Sequence, residues 1–237
     1  REGRLALRGN WQTALLVTFV TGLLGLMGNV IRVRLSVPEN VLLEEYYQKI
    51  WQEAYGQMEA YGGLLSLLAV LQILFSPALE SGMYQYYLGL HRREEAGFSR
   101  IFSRMGILFK CLGLQVVTGI LIFLWSFLLI IPGIIAAYRY AMAPYLLSEY
   151  PGMGIWEAIA RSKEMMEGHK ARLFFLQLSF LGWSLLAALP LLLEAYFPVV
   201  GVALGLFASL GVQVYMNAAT AAFYLELAPS APWGEAA

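Results

Sequence analysis

Apolar residues in this chain gather into long unbroken runs instead of alternating with polar ones. A helix that crosses a bilayer needs about 20 mostly apolar residues at about 1.5 Å each. Residues 11–31, 63–90 and 105–131 meet that length, and a fourth run begins at Leu173. Pro198 and Gly201 interrupt this last run, which divides it into spans at 173–197 and 199–227. Between the third and fourth runs lies 133–149, about 17 residues long, opened by the turn signal Pro132-Gly133 and carrying Arg139 and Pro144. With this short segment the pattern predicts six transmembrane helices.

The segments between runs have a different period. In 41–61, Leu43, Tyr47, Ile50, Ala54, Met58 and Tyr61 recur at intervals of three and four, the signature of an amphipathic helix. Ser36 and Glu39 have the form of a capping box at its start. Tyr46, Tyr47, Trp51, Tyr55 and Tyr61 suit the headgroup zone, so the expected element is an interfacial helix separate from the following span. A second amphipathic helix is predicted over 153–169. Its apolar face holds Ile155, Ile159, Ser162 and Met166, and the other face offers the ion pairs Glu157–Arg161 and Lys163–Glu167. Gly168 is placed to end it as a C-cap residue.

Composition and charge support the membrane reading. Of 237 residues, 59% are hydrophobic and only 14% are charged, where an ordinary soluble domain carries roughly 25% charged residues. A zero net charge offers no global case for nucleic acid as a partner. Basic residues are asymmetric under a six-span arrangement. One side holds Arg1, Arg4, Arg8, Arg92, Arg93, Arg100, Arg104, Lys110, Arg161, Lys163, Lys170 and Arg172, and the other only Arg32, Arg34 and Lys49. By the positive-inside rule both termini lie in the cytoplasm, and omitting the short fourth span would place 161–172 outside. The first apolar run lacks a small-residue cleavage site, so it is read as a span. The single cysteine, Cys111, sits in an apolar stretch and is read as a small hydrophobe.

The fold class expected is therefore all-α: a polytopic membrane protein with one transmembrane domain over 1–237. Three joints, Arg8-Gly9-Asn10-Trp11, Ser103-Arg104-Met105-Gly106 and Glu167-Gly168-His169-Lys170, each precede a span, a turn and a returning span. The returning spans end alike, at Tyr86-Tyr87, Tyr145 and Phe223-Tyr224. Two readings stand side by side. One is three helical-hairpin repeats, 1–90, 91–149 and 150–227, each preceded by a cytoplasmic amphipathic segment. The other is the alternation that any six-span chain shows.

Several motifs point to one family. They are Pro132-Gly133-Ile134-Ile135, Tyr138-Arg139-Tyr140-Ala141-Met142-Ala143-Pro144-Tyr145, Glu157-Ala158, Ser162-Lys163-Glu164-Met165-Met166-Glu167-Gly168-His169-Lys170 and Leu176-Gln177-Leu178-Ser179-Phe180-Leu181-Gly182-Trp183. With Gly9-Asn10-Trp11, the stretch Gly82 to Arg93 and Ala222-Phe223-Tyr224, the chain resembles a bacterial integral-membrane family known as domain of unknown function 975. The Tyr-Arg-Tyr to Ser-Lys pattern is also similar to the membrane portion of glycerophosphodiester phosphodiesterases, whose hydrolytic chemistry belongs to a separate soluble domain without counterpart here. Gln177 departs from the acidic residue expected there in many relatives. The resemblance implies a multi-pass protein of the bacterial cytoplasmic membrane, and no activity.

Ionisable groups inside spans are costly and are functional suspects. Glu80 and Arg139 lie at matching depths, about ten residues or roughly 15 Å from the ends of the second and fourth spans. A buried Glu80–Arg139 pair is therefore expected. Gln115, Ser179 and Asn217 fall at comparable depths and complete a candidate ligand pocket open to the cytoplasm; the competing reading is polar glue between helices. His169 is an interfacial candidate at a membrane boundary. With His91 the only other histidine, no metal site is expected, nor any cofactor. Gly22, Gly25, Gly28, Gly201 and Gly205 are read as close-packing positions. No hydrolase or phosphate-loop motif occurs. The leading functional expectation is a non-enzymatic accessory or structural protein, or a carrier for a small or lipidic ligand. The alternative is an intramembrane enzyme acting on a lipid headgroup through Glu80, Arg139 and His169. Partners expected are the lipid bilayer, a lipid or small-molecule ligand, and a second copy or another membrane protein.

Overall fold

The computed structural model describes residues 2–26, 43–94, 97–195 and 197–228, all of them helix or connecting turn. The helices are α1 (Glu2–Ala6), α2 (Trp11–Leu26), α3 (Leu43–His91), α4 (Leu108–Leu128), α5 (Ile130–Tyr140), α6 (Ala143–Glu149), α7 (Ile155–Met165), α8 (Lys170–Ala188) and α9 (Pro198–Leu227). Two 3-10 helices join them, Phe98–Ile107 before α4 and Leu189–Ala195 before α9.

Among the described residues, five stretches are long and apolar enough to cross a membrane: Ser66–His91, Phe98–Leu128, Ile130–Glu149, Lys170–Ala188 and Val200–Leu227. The expected first span enters as α2, equally apolar, and its continuation to residue 31 lies outside the described residues. Large apolar side chains stay exposed along these helices. Phe123, Phe127, Leu128, Ile130 and Ile131 on the α4–α5 hairpin, with Trp183 and Phe207 elsewhere, form surface that water would penalise and a bilayer satisfies.

Several boundaries differ from the sequence pattern for local reasons. The expected interfacial helix and second span are one continuous helix, α3, of 49 residues. The pair Gly62-Gly63 does not divide it, since an interior glycine costs only about 1 kcal/mol relative to alanine. Ser36 and Glu39 lie outside the described residues. The α4–α5 turn falls at Leu129, in extended backbone, so that Pro132 and Gly133 sit within the first turn of α5. Proline is tolerated there because its missing N–H would have had no helical acceptor. Gly133 is required by the hairpin itself, because a Cβ would overlap the Ser126 side chain and backbone. Pro190 ends the α8 helical ladder, and the chain tightens into the 3-10 turn before Pro198 opens α9.

Of the glycines read as close-packing positions, Gly22 has open space, since a Cβ there would meet nothing within 4 Å, whereas Gly201 and Gly205 of α9 are buried; the surroundings of Gly25 and Gly28 lie outside the described residues. Two tight crossings involve other glycines. Gly82 of α3 lies against the Ile101 carbonyl, and Gly3 of α1 lies against the Ala218–Ala219 backbone of α9. Gly168, with φ of 76°, adopts the left-handed conformation that its expected role after α7 needs.

The core sits at the end of the bundle where α3, α6 and α9 terminate. Tyr84 and Tyr145 lie 4.2 Å apart by ring centroid, and Tyr145 stacks on Tyr224 at 5.3 Å. Tyr86, Tyr87, Leu88, Leu146, Leu147 and Met166 are fully enclosed around them. This end also carries α1, the 3-10 helix Phe98–Ile107 and α7, and with them Arg8, Arg92, Arg93, Arg100, Arg104, Lys163 and Arg172. It is called the basic end below.

α7 has the predicted faces. Ile159, Ser162 and Met166 are buried, Ile155 packs on the core at partial exposure, and Glu157 and Glu164 are exposed. The ion pair formed on its outer face is Arg161–Glu164 at 3.6 Å, three residues apart.

Candidate functional site

Two cavities and one polar knot organise the ionisable groups. The knot lies at the basic end. Arg92, just past the last turn of α3, forms an ion pair with Glu149 at the end of α6, and the Tyr224 hydroxyl of α9 donates to the other carboxylate oxygen at 2.5 Å. Burial disfavours the Arg92 cation, but Glu149 more than offsets this, leaving the guanidinium's pKa above its ordinary value. Beside it, His91 Nε2 lies 2.7 Å from the Ala218 carbonyl, Gln85 donates to the Ser148 carbonyl at 2.5 Å, and Ser148 donates to the Ser81 carbonyl at 2.9 Å. Three returning helices are thus tied together by side chains that reach backbone and charge. Sequence inspection missed Glu149 and Arg92 as partners, because 57 residues separate them.

The larger cavity, about 810 Å³, opens where α1 meets the ends of α3 and α9. Leu5, Ala6, Leu90, Ala222 and Leu225 form its apolar wall, while Arg8, Asn10, His91, Arg93, Glu94 and Glu226 supply its polar groups. Its two carboxylates are already held from outside the cavity: Glu94 by Arg100 at 2.6 Å, Glu226 by Arg172 at 2.7 Å. Arg8 and Arg93 are exposed and form no ion pair among the described residues. Arg93 holds a φ of 59°, unusual for a residue with a side chain, as the chain leaves α3. The cavity therefore presents two uncommitted guanidinium groups beside an apolar wall.

A smaller cavity, about 110 Å³, lies between α3, α4 and α6. Pro77, Glu80, Ser81 and Tyr84 line it from α3, Cys111, Leu114, Gln115 and Thr118 from α4, and Pro144 and Leu147 from α6. Two of the expected pocket residues, Glu80 and Gln115, meet here.

The other three do not. Arg139 lines neither cavity and its side chain is exposed. The expected Glu80–Arg139 ion pair is not formed. Pro144 and Leu147 are the residues of this segment that line the cavity with Glu80. Arg139 precedes Pro144 by five positions, about 140° around a regular helix, and the helix is broken between them at Ala141-Met142. Ser179 is exposed and donates to the Leu176 carbonyl of its own helix at 2.6 Å. Asn217 contacts the Met83 sulfur at 3.5 Å in the interior. His169 sits half-buried before α8, with Nδ1 enclosed and without a hydrogen-bond partner. Glu80 lines the smaller cavity, and Arg139 and His169 line neither of the two cavities. No group of three or more His, Cys, Asp or Glu gathers as a metal site among the described residues.

The break between α5 and α6 has its own geometry. Pro144 has no N–H for the Tyr140 carbonyl, and the helix opens at Ala141-Met142. Ser162 of α7 enters the gap: its Oγ accepts from the Met142 N–H at 3.2 Å and donates to the Arg139 carbonyl at 2.9 Å. Ser162 is completely buried there. Tyr138, one turn earlier, donates to Gln177 of α8 at 2.8 Å, which makes Gln177 a hydrogen-bond acceptor between helices.

Helices that are long and apolar, an exposed apolar belt and a basic end define an all-α protein built to cross a membrane several times. Residues 127–230 match the model of a family described as a protein of unknown function, DUF975, the family that the sequence motifs resemble. The matched residues include the broken fourth span, α7, α8 and α9, while Gly9-Asn10-Trp11 and Gly82 to Arg93 lie outside them. No curated protein and no solved structure matches the chain, so the likeness to glycerophosphodiester phosphodiesterases has no match behind it.

Proposed function

We propose that this protein is a non-enzymatic, multi-pass membrane protein that binds an anionic amphiphile, a phospholipid headgroup with part of its acyl region, in the cavity at its basic end. The observation that carries the reading is the state of the charges there. Glu94 and Glu226 are committed to Arg100 and Arg172, whereas Arg8 and Arg93 are free to meet an anion. Guanidinium groups recognise phosphate with charge-assisted, geometrically matched hydrogen bonds. Leu5, Leu90 and Leu225 supply the apolar wall that such a ligand needs and a free phosphate does not. The positive-inside rule puts this end in the cytoplasm, facing the leaflet where anionic lipid concentrates, with N- and C-termini on the same side. A six-span bundle of three hairpins, each led by a short helix (α1, the 3-10 helix Phe98–Ile107, α7), is the architecture this reading assumes.

Native mass spectrometry of the detergent-solubilised protein with added phosphatidylglycerol or phosphatidylcholine tests the proposal. Retention of the anionic lipid over the zwitterionic one is expected. Each basic residue near a membrane surface contributes about 1 kcal/mol, so Arg8→Gln with Arg93→Gln weakens that preference by about thirtyfold. Equal retention of both lipids by the unaltered protein overturns it.

A further inference from the structure

The small cavity between α3, α4 and α6 has a different chemistry, and the geometry points to a binding site for a small monovalent cation of the Na⁺ class, held by the Glu80 carboxylate with Ser81 and Gln115. Three observations converge. Glu80 is a lone carboxylate inside a stretch apolar enough to span a membrane, no Lys, Arg or His lines its cavity, and it forms no ion pair. A carboxylate in such surroundings must either take up a proton or meet a counter-charge, and the oxygen donors gathered beside it favour a bound cation. Next to it, Ser81 is 3% exposed and its Oγ makes no hydrogen bond, the Cys111 thiol being a weak donor beside it. An enclosed hydroxyl without a partner, on the wall of a cavity, is a ligand atom waiting for an occupant. Finally, Thr118 spends its hydroxyl proton on the Leu114 carbonyl at 2.7 Å, so its oxygen presents only lone pairs to the cavity, and the Gln115 amide adds another oxygen.

Charge balance selects the ion. One carboxylate neutralises one positive charge, and a divalent ion would keep an excess charge in a low-dielectric site. Oxygen donors suit a hard cation, and the lone Cys111 is too little soft donor for a transition metal. A volume of about 110 Å³ exceeds a bare ion and admits it with two or three waters at about 30 Å³ each. Two prolines nearby fit the same pattern. Pro77 and Pro144 both line the cavity, and each deprives the carbonyl four residues earlier of its helical donor; α3 stays continuous through Pro77, and the helix opens before Pro144. Interrupted helices like the one at Pro144 mark ion sites near the bilayer midplane. Gln115 is exposed, so the cavity opens on the α4 side. This inference is independent of the amphiphile proposed for the basic end.

Equilibrium binding of ²²Na⁺ to the full chain in detergent, with choline as the balancing cation, provides the test. Saturable binding of a single ion per chain is expected. At ten times the dissociation constant, Na⁺ should also shift the unfolding equilibrium about elevenfold toward the folded state relative to choline. Glu80→Gln should abolish both effects, and Ser81→Ala should weaken binding by at least several-fold while leaving the fold intact. Should Glu80→Gln fail to fold, Ser81→Ala and Gln115→Leu carry the comparison alone. Absence of saturable binding in the unaltered protein, or binding undiminished in Glu80→Gln or in both of the other variants, overturns the assignment.

Discussion

Ser162→Ala isolates what one hydroxyl contributes to a broken transmembrane helix. In the intact protein this side chain, fully buried, serves the Met142 N–H at 3.2 Å and the Arg139 carbonyl at 2.9 Å. Alanine removes both partners and leaves two main-chain groups enclosed where no water competes for them. An unsatisfied buried polar group costs about 1–3 kcal/mol. The two together should therefore cost about 2–6 kcal/mol, with the lower end applying if the chain relaxes around the gap. Unfolding titrations with a denaturing detergent read the total, and hydrogen exchange at the Met142 amide reads the local part. The second variant sharpens the logic. Pro144→Ala returns an N–H to the position that the Tyr140 carbonyl lacks and allows the helix to close through Ala141-Met142. In that background Ser162 has less to satisfy, so the double variant should recover at least half of the loss. A Ser162→Ala loss below about 0.5 kcal/mol, the range of ordinary surface substitutions, with unchanged Met142 exchange, would refute the reasoning; so would strictly additive losses in the double variant.

Two further outcomes follow from the packing at the basic end and at the hairpin. Glu149→Gln keeps an acceptor for Tyr224 but removes the charge that faces Arg92; hydrogen bonds to charged groups contribute about 1.5–3 kcal/mol. With the Arg92 side chain 38% exposed, a loss toward the lower figure is expected, and a double-mutant cycle with Arg92→Gln should show coupling and not additivity. Gly82→Ala and Gly133→Ala each force a Cβ into main chain, at the Ile101 carbonyl and at Ser126 respectively, and overpacking typically costs about 1–3 kcal/mol. Gly22→Ala, which meets nothing within 4 Å, serves as the control and should leave the detergent unfolding midpoint unchanged.

Periodicity made α7 legible and failed at α3 for the same physical reason. A 3.6-residue pattern reports which face is buried, and Ile159, Ser162 and Met166 are buried as the pattern required. It does not report where a helix stops, unless a residue makes continuation costly. The amphipathic segment 41–61 and the span 63–90 were read as separate elements, yet the glycines where they meet weaken a helix without closing it, and α3 runs through. The break before Pro198 fell where it was expected, whereas α8 ends earlier than the span read over 173–197, at Ala188 before Pro190. Gly22 and Gly82 show the corresponding limit for packing. A small residue permits close approach, but whether another backbone arrives depends on the crossing of two helices, and only Gly82 has one against it.

The charges inside the membrane stretch show what depth alone leaves open. Glu80 and Arg139 lie equally far from the ends of their spans, and opposite sign at equal depth suggested a pair. Depth is only one coordinate of a side chain on a helix; its angle around the axis is the other. On α6 the residues that line the Glu80 cavity are Pro144 and Leu147, and a regular helix would already carry Arg139 about 140° from the first and about 80° from the second. The break at Ala141-Met142 then uncouples the two halves, so Arg139 follows α5 to an exposed position, and its main-chain carbonyl, not its guanidinium, makes the interhelical contact with Ser162. Each charge is consequently solved separately: the guanidinium at the protein surface, where a long side chain can extend toward the headgroups, and the carboxylate in a cavity walled by hydroxyl and amide oxygens. A pair would have closed the bundle around itself. Two separate solutions leave Glu80 without a protein partner, and that is the feature on which the cation site rests.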